Sequence, residues 1–175
     1  MAFLGVWFCS THEFWQLVMT KPFPHNLIFR RGSEKDAPVL IDLAGRVATP
    51  KIYNQILFTN DDAVREINKN VFYFLEIDGQ AIGSAAYRTQ ANGSVYINNF
   101  AVDPRYQRRG IARAALEKIL KETQNVTRLE LCTHPDNVPA LNLYMSYGFV
   151  IESRVENYFG DGEPRLILAK TNKSG

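Results

Sequence analysis

Between Ser94 and Glu122 the chain runs from an extended apolar stretch, through a short basic turn that contains glycine, directly into an amphipathic helix. That succession restricts the fold more than any other part of the sequence. Val95, Tyr96, Ile97, Phe100 and Val102 are β-branched or aromatic, which suits a half-buried strand, and Asp103-Pro104 ends its pairing because proline has no amide hydrogen to donate. From Ile111 the period changes. Ile111, Ala112, Ala115, Leu116, Ile119 and Leu120 form one apolar stripe, with Arg113, Glu117 and Lys121 on a solvated face. The turn between strand and helix carries Arg105, Arg108 and Arg109, and Gly110 lets backbone amides approach a ligand with no Cβ in the way. The helix start adds unpaired N–H groups and the positive end of its dipole, so the arrangement predicts a phosphate ester gripped by its pyrophosphate. A plain strand-to-helix turn with solvated arginines is the other reading these residues allow.

Periodicity and turn signals order the remaining elements. Leu27 to Arg31 reads as a first strand, Ser33 with Asp36 as a capping signal for a helix through Ala48, and Ile52 to Asn68 as a second helical region. Val71 to Ile77 and Ala81 to Arg88 flank Asp78-Gly79, a strong hairpin signal, and the strand at Ser94 continues the meander. After the helix at Ile111 come a strand at Arg128 to Thr133, a helix from Asn137, and strands at Phe149 to Asn157 and Arg165 to Lys170. This is an α/β single domain with a mixed sheet.

A second motif lies at Asn137-x-x-Ala140-x-x-Leu143-Tyr144-x-x-x-Gly148-Phe149. Seven residues of helix are nearly two full turns, so Asn137 and Tyr144 point to one side roughly 10 Å apart along the axis. Asn137 is a suitable N-cap, Pro139 is tolerated in the first turn, and Gly148 suits a C-terminal cap that sends Phe149 onward. A capped helix with Tyr144 as an ordinary half-buried tyrosine also accounts for these residues.

With the turn pattern Gln107-x-x-Gly110-x-Ala112, this second motif makes the chain resemble the GNAT superfamily of N-acetyltransferases, whose acyl-CoA-binding pattern is Q/R-x-x-G-x-G/A. The resemblance extends from about Leu27 to Lys170. It implies a central mixed, mostly antiparallel twisted sheet of about six to seven strands flanked by helices, and an enzyme with acetyl-CoA as acyl donor. The cofactor would be held by Phe100, Ala101, Val102, Gln107, Arg108, Arg109, Gly110, Ile111, Ala112 and Arg113, with Asn137 and Tyr144. A primary amine would attack the thioester directly, without a covalent enzyme intermediate, and Tyr144 would protonate the departing thiolate, as the matching tyrosine commonly does. Many members carry a glutamate where this chain has Asn98, and asparagine cannot take a proton. Glu130 is the replacement the resemblance offers, since some members that acetylate protein N-termini use a glutamate on this strand, although the distance from Glu130 to Asn137 is two residues longer here. A non-catalytic acyl-CoA-sensing module is the alternative from a different class.

The acceptor is weakly written. Glu156 and Tyr158 lie beside the final hairpin with other acidic and aromatic residues, a combination suited to a cationic amine, though also to a solvated polar turn. Neither a small-molecule amine nor a protein N-terminus is singled out. Cys9 and Cys132 are too few for a disulfide framework and have no zinc-ligand spacing with His12, His25 or His134, so no metal is expected. Cys132 reads as a small buried hydrophobe rather than a nucleophile paired with His134. A net charge of +2 gives no argument for nucleic acid, and no apolar run reaches the ~18 residues of a membrane span, so a cytoplasmic enzyme is expected. Residues 1–26 form an extension outside the main order, with a capping signature at Ser10 to Glu13 opening a short helix. Its aromatic residues need a cover: the domain's own surface, a homodimer contact, or a lid over the acceptor pocket. Residues 171–175 are expected to be a flexible tail.

Overall fold

The computed structural model describes residues 26–48 and 59–172. The proposed helix before Pro22, the start of the second helical region at Ile52 to Phe58, and residues 173–175 lie outside the described residues. Among those described, seven strands form one sheet, with four α-helices in two layers. The strands are β1 (Ile28–Arg31), β2 (Val71–Ile77), β3 (Gln80–Thr89), β4 (Val95–Val102), β5 (Arg128–Thr133), β6 (Val150–Val155) and β7 (Arg165–Thr171). The helices are α1 (Ala37–Val47), α2 (Asn60–Lys69), α3 (Ile111–Glu122) and α4 (Val138–Ser146). The order across the sheet is β1-β2-β3-β4-β5-β7-β6; only β4 and β5 run parallel.

Local chemistry sets most boundaries. Ser33 and Asp36 form the expected box, Ser33 N and Oγ both donating to Asp36 Oδ2 at 2.8 Å, but the segment they close is a 3-10 turn that leads into α1 at Ala37. Thr59 and Asp62 cap α2 reciprocally, each backbone amide donating to the other's side chain at 3.2 Å. Asp78 and Gly79 both adopt positive φ (52° and 76°), the requirement of a tight hairpin turn between β2 and β3. β7 continues one residue past Lys170, and Asn172 is tied down by bonds to the carbonyls of Thr127 and Val126, both at 2.8 Å.

Alternation along the strands divides the core between the two faces. Phe72, Phe74, Ala81, Ala86 and Ala101 face α1 and α2, against Leu40, Leu43, Ala63 and Ile67. Ile82, Ala85, Val95, Ile97, Leu129, Leu131 and Leu168 face the other way, where Ile111, Leu116, Ile119, Tyr144 and Phe149 cover them. β1 and β6 are the edge strands, and all six residues of β6 are exposed.

One irregularity positions the site. In the β3–β4 ladder Ala86 pairs with Asn98 and Ser84 with Ala101, so Asn99 and Phe100 together oppose Ala85: a bulge, with Asn99 at φ 47°. Ser84 Oγ donates to the Asn99 carbonyl at 3.0 Å. β3 crosses beneath at Gly83, where a β-carbon would lie 2.6 Å from the Ala101 carbonyl oxygen. Gly83→Ala should therefore force the bulge apart and cost about 1–3 kcal/mol. Gly45, in α1, has no atom within 4 Å of such a carbon, so Gly45→Ala should stabilise by up to about 1 kcal/mol, seen as a melting temperature about 2–4 °C higher. Thermal denaturation should thus move in opposite directions for the two glycine-to-alanine changes; equal shifts would contradict the packing described at Gly83.

Candidate active site

β4 and β5 are paired only at Val95–Leu129 and Tyr96–Glu130. Beyond that point the parallel strands part, and the side of β4 that β5 would have covered faces a cleft of about 590 Å³. β4 lines it from Tyr96 to Ala101, β5 from Glu130 to Thr133, α2 through Glu66 and α4 through Tyr144. Parting exposes the backbone N–H and C=O groups that a continuous ladder would have consumed, so this edge can donate to a carbonyl oxygen lying against it.

The turn that follows β4 is built around Asp103, whose side chain is only 2% exposed. Arg105 grips it with its backbone amide (3.0 Å), Nε (3.1 Å) and a terminal nitrogen (2.8 Å), and Arg46 of α1 reaches the same carboxylate at 2.6 Å. These partners, Arg105 first, hold the carboxyl well below the usual range against the opposing effect of burial. By sequence, Arg105 is one of the charges on offer to a phosphate. The structure commits it to Asp103, because a buried carboxylate needs its partner close by. Gln107, expected at the cofactor, donates Nε2 to the Val102 carbonyl at 2.9 Å and so ties the turn to the strand. Arg108 and Gly110 both take positive φ (61° and 79°), and Gly110 is the N-cap of α3. The first helical bond runs from Ala114 N to Gly110 O, leaving the amides of Ile111 and Ala112 ahead of it. Arg109 packs over the Tyr106 ring at 5.2 Å and, with Arg108, is exposed. A pyrophosphate would find amides, a positive helix end and two arginines here.

Tyr144 is 5% exposed and lines the cleft, its ring edge-on to Phe100 at 6.0 Å and to Phe149 at 5.9 Å. The end of α4 fixes it from behind. Gly148 at φ 84° lets its own amide bond Met145 O (3.0 Å) and that of Phe149 bond Tyr144 O (3.2 Å), a Schellman closure. Asn137 occupies the N-cap position, but its side chain does not cap. Nδ2 donates to Thr133 Oγ1 at 3.2 Å, which turns the residue toward β5 and the cleft.

Glu130 reaches the cleft with both oxygens engaged: Oε1 by Arg128 Nε at 2.6 Å and Oε2 by Gln90 Nε2 at 2.8 Å. Asn98 donates Nδ2 to Glu66 Oε1 at 2.6 Å, and the neighbouring Asn99 does so at 2.8 Å. Glu66 was missed from the sequence, where it is one more polar residue on an amphipathic helix. The only sign of it was a pair of asparagines in an otherwise apolar strand, which call for a polar partner across the sheet.

At the β5 and β7 end of the cleft, burial pushes the Cys132 thiol up, and its sulfur accepts from the Tyr96 hydroxyl at 3.1 Å. His134 cannot activate it: Nδ1 accepts from the Asp136 amide at 3.0 Å, so Nε2 carries the hydrogen toward Glu163 at 3.1 Å. Arg165, 2% exposed, pairs with Asp161 at 2.6 Å and stacks under Phe159 at 5.1 Å. Tyr158 lines the cleft with Phe159, whereas Glu156 pairs with Arg154 on an exposed surface and is not among the lining residues. Among the described residues no group of three or more His, Cys, Asp or Glu could hold a metal, and no helix is long and apolar enough to cross a membrane.

Residues 44–149 match the model of the acetyltransferase (GNAT) family, and the chain belongs to that family, as an acetyl-CoA-dependent N-acetyltransferase. It is 28% identical over 138 residues to an N-alpha-acetyltransferase of Sulfurisphaera tokodaii, covering 71% of this chain and 81% of that one. It is also 41% identical over 76 residues to the ribosomal protein bS18-alanine N-acetyltransferase of Escherichia coli, covering 41% of this chain and about half (51%) of that protein's length. A Salmonella typhimurium protein solved with its cofactor acetyl-CoA shares the fold, with a TM-score of 0.68 at 17% identity, covering 86% of this chain and 96% of that one.

Two variants probe the turn. Asp103 has its folded pKa depressed, so the stability it contributes is complete above the unfolded value near ~3.9 and disappears as pH falls toward the folded value. Asp103→Asn should therefore melt below the parent at pH 7, and the gap should begin to narrow below about pH 4 and keep shrinking as pH falls further; a gap that stays constant in acid would mean that shape, not charge, is what Asp103 supplies. Gly110→Asp places a side chain and a negative charge at a φ of 79° ahead of α3. Acetyl-CoA should raise the parent's melting temperature by mass action and leave this variant's unchanged, with calorimetry as the direct check on affinity.

Proposed function

We propose that the chain transfers the acetyl group of acetyl-CoA directly to a primary amine bound in the cleft, without a covalent enzyme intermediate. The observation that carries this reading is the parting of β4 from β5, which sets an open backbone edge immediately before the phosphate-binding turn and faces it with Tyr144. The residues fit acetyl-CoA: the amides ahead of α3, with Arg108 and Arg109, would hold the pyrophosphate, and Phe100 and Ala101 would flank the acyl arm. When bound, the cofactor supplies an activated acetyl thioester.

The chain's own groups do the rest. Backbone N–H groups along β4 receive the charge that develops on the carbonyl oxygen, and the Tyr144 hydroxyl gives its proton to the departing sulfur. No side-chain nucleophile is needed, and Cys132, half-buried and held by Tyr96, is not set up as one. Asn98 orients rather than carries a proton, and Glu130, with both oxygens engaged, exchanges protons with the acceptor only through water.

Acceptor chemistry favours an α-amine. A lysine-type amine, with a pKa near ~10.4, is neutral in only about one molecule in ~10³ at pH 7, whereas an α-amine near ~8 is neutral in about one in ten. A site whose β5 carboxylate is encumbered suits the second. The names of the relatives, an N-alpha-acetyltransferase and a ribosomal-protein alanine N-acetyltransferase, point the same way. The test is a panel of alanine-led peptides, free amino acids and polyamines with release of free CoA as the signal. The peptides should be turned over best, and Tyr144→Phe should lower kcat by about 10²–10⁴-fold while acetyl-CoA affinity stays near the parent's. Acetyl-CoA binding without turnover of any amine would favour a sensing role instead.

A further inference from the structure

Glu66 of α2 turns its carboxylate into the cleft, where Oε1 receives three carboxamide hydrogen bonds: from Asn98 at 2.6 Å, Asn99 at 2.8 Å and Asn70 at 3.0 Å. Asn70 also donates to the Glu66 carbonyl at 2.6 Å, so the side chain is anchored to its own helix and to the β4 bulge together. The orientation has a cost. Pointing these NH₂ groups at Glu66 leaves Oδ1 of Asn70 and of Asn98 buried without a partner among the described residues, and an unsatisfied buried acceptor is destabilising. Turning either amide over would set its oxygen against a carboxylate oxygen, which is worse.

All of this holds a negative charge that has no cation within ion-pair distance among the described residues, whereas Glu130 across the cleft has Arg128 at 2.6 Å. The other charged or titratable groups lining the cleft are Lys69, Arg88, Glu130, His134 and Arg165, with Cys132 and the tyrosines. A half-buried carboxylate fixed by neutral donors, with Oε2 taking no hydrogen bond among the described residues, is a receptor for a cation. Asn98 and Asn99 sit immediately before Phe100, which packs on Tyr144, and the receptor lines the same cleft as the group assigned to the departing sulfur.

Building on the acetyltransferase reading, we propose that Glu66 binds the acceptor's ammonium group through Oε2 and takes its proton. The N–H bond breaks toward the carboxylate and leaves the electron pair on nitrogen. That pair forms the N–C bond as the C–S bond breaks. Of the two protons the nitrogen sheds, one leaves through Glu66 to solvent, and the other replaces the proton that Tyr144 gave to the thiolate. Glu66 thereby supplies from α2 the carboxylate that Asn98 does not supply from β4.

The test uses an alanine-led peptide as acceptor. Glu66→Gln keeps an oxygen for the asparagines and removes only the charge. It should lower kcat/KM by about 10²–10⁴-fold near pH 6, and the loss should shrink as pH passes the α-amine's own pKa near ~8, with melting temperature and acetyl-CoA affinity unchanged. Adding Asn98→Glu to Glu66→Gln restores one carboxylate opposite one carboxamide and should recover at least about tenfold, within the coupling that contacting residues show. Parent-level activity in Glu66→Gln, or a loss equal at every pH with no recovery in the exchange, would overturn the proposal and make Glu66 a scaffold for the bulge. A parent that binds acetyl-CoA yet acetylates no amine would instead overturn the acetyltransferase reading, and this assignment with it. Should Glu66→Gln fail to fold, Glu66→Asp withdraws the charge by one methylene; a rate equal to the parent's would equally refute the role.

Discussion

Two residue pairs, Val95–Leu129 and Tyr96–Glu130, are all that join β4 to β5, and the divergence beyond them creates the site. A bulge bends the strand that carries it, and this one lies at Asn99 and Phe100, just past the last shared pair. Ser84 and Gly83 hold the bulge from the β3 side, one by a hydrogen bond and the other by having no side chain. Had the two strands stayed paired to their ends, their backbone groups would have been consumed in the ladder and no edge would be open to the cleft. The cleft exists because one side of the sheet gives up hydrogen bonds that a substrate can then use.

The charges around that opening fall into two kinds. Asp103 is a buried anion whose partners come from two elements, Arg46 of α1 and Arg105 of the turn, and their attraction sets where the turn leaves the sheet. Two guanidinium nitrogens of Arg105 are thereby committed to Asp103, whereas Arg108 and Arg109, exposed beside the end of α3, are the charges we propose for a phosphate. Glu66 is the opposite case, an anion given donors but no counter-ion among the described residues. Electrostatic attraction of the first kind is satisfied within the fold and gives shape; the second kind is left for something that binds.

The same contrast separates the two glutamates of the cleft. Glu130 is tied to Arg128, which also forks onto Glu152 at 2.9 and 2.5 Å, so it belongs to a network that braces β5 against the edge strand β6. The family resemblance offers it as a base; in the fold both of its oxygens already accept hydrogen bonds, from Arg128 and Gln90. Glu156 shows the same effect at the surface, where Arg154 holds it away from the aromatic wall that Tyr158 and Phe159 form. A residue's type announces what chemistry it could do, and only its partners decide whether that chemistry is free.

Much of this protein follows from local rules that act within a few residues. The strand, turn and helix from Ser94 to Glu122, the hairpin at Asp78-Gly79, the box at Ser33 and Asp36 and the closure of α4 at Gly148 depend on side-chain period, positive φ and nearby hydrogen bonds, so they could be read in advance. Gly110 and Tyr144 came from the same source, through two motifs of fixed spacing. Two things were not legible: the jump in register that makes the bulge, which joins two strands, and the choice among nearby polar partners that sets Arg105 and Gln107 to hold the turn and turns Asn137 to Thr133 instead of capping. Glu66 meets Asn98 across 32 positions of sequence, and no periodicity reports that meeting. The sequence by itself determined which elements form and where a phosphate could bind, because those are short-range matters of backbone geometry. Tertiary structure alone decided which charges pair with one another and which face the cleft, because that depends on what the sheet brings within about 3 Å.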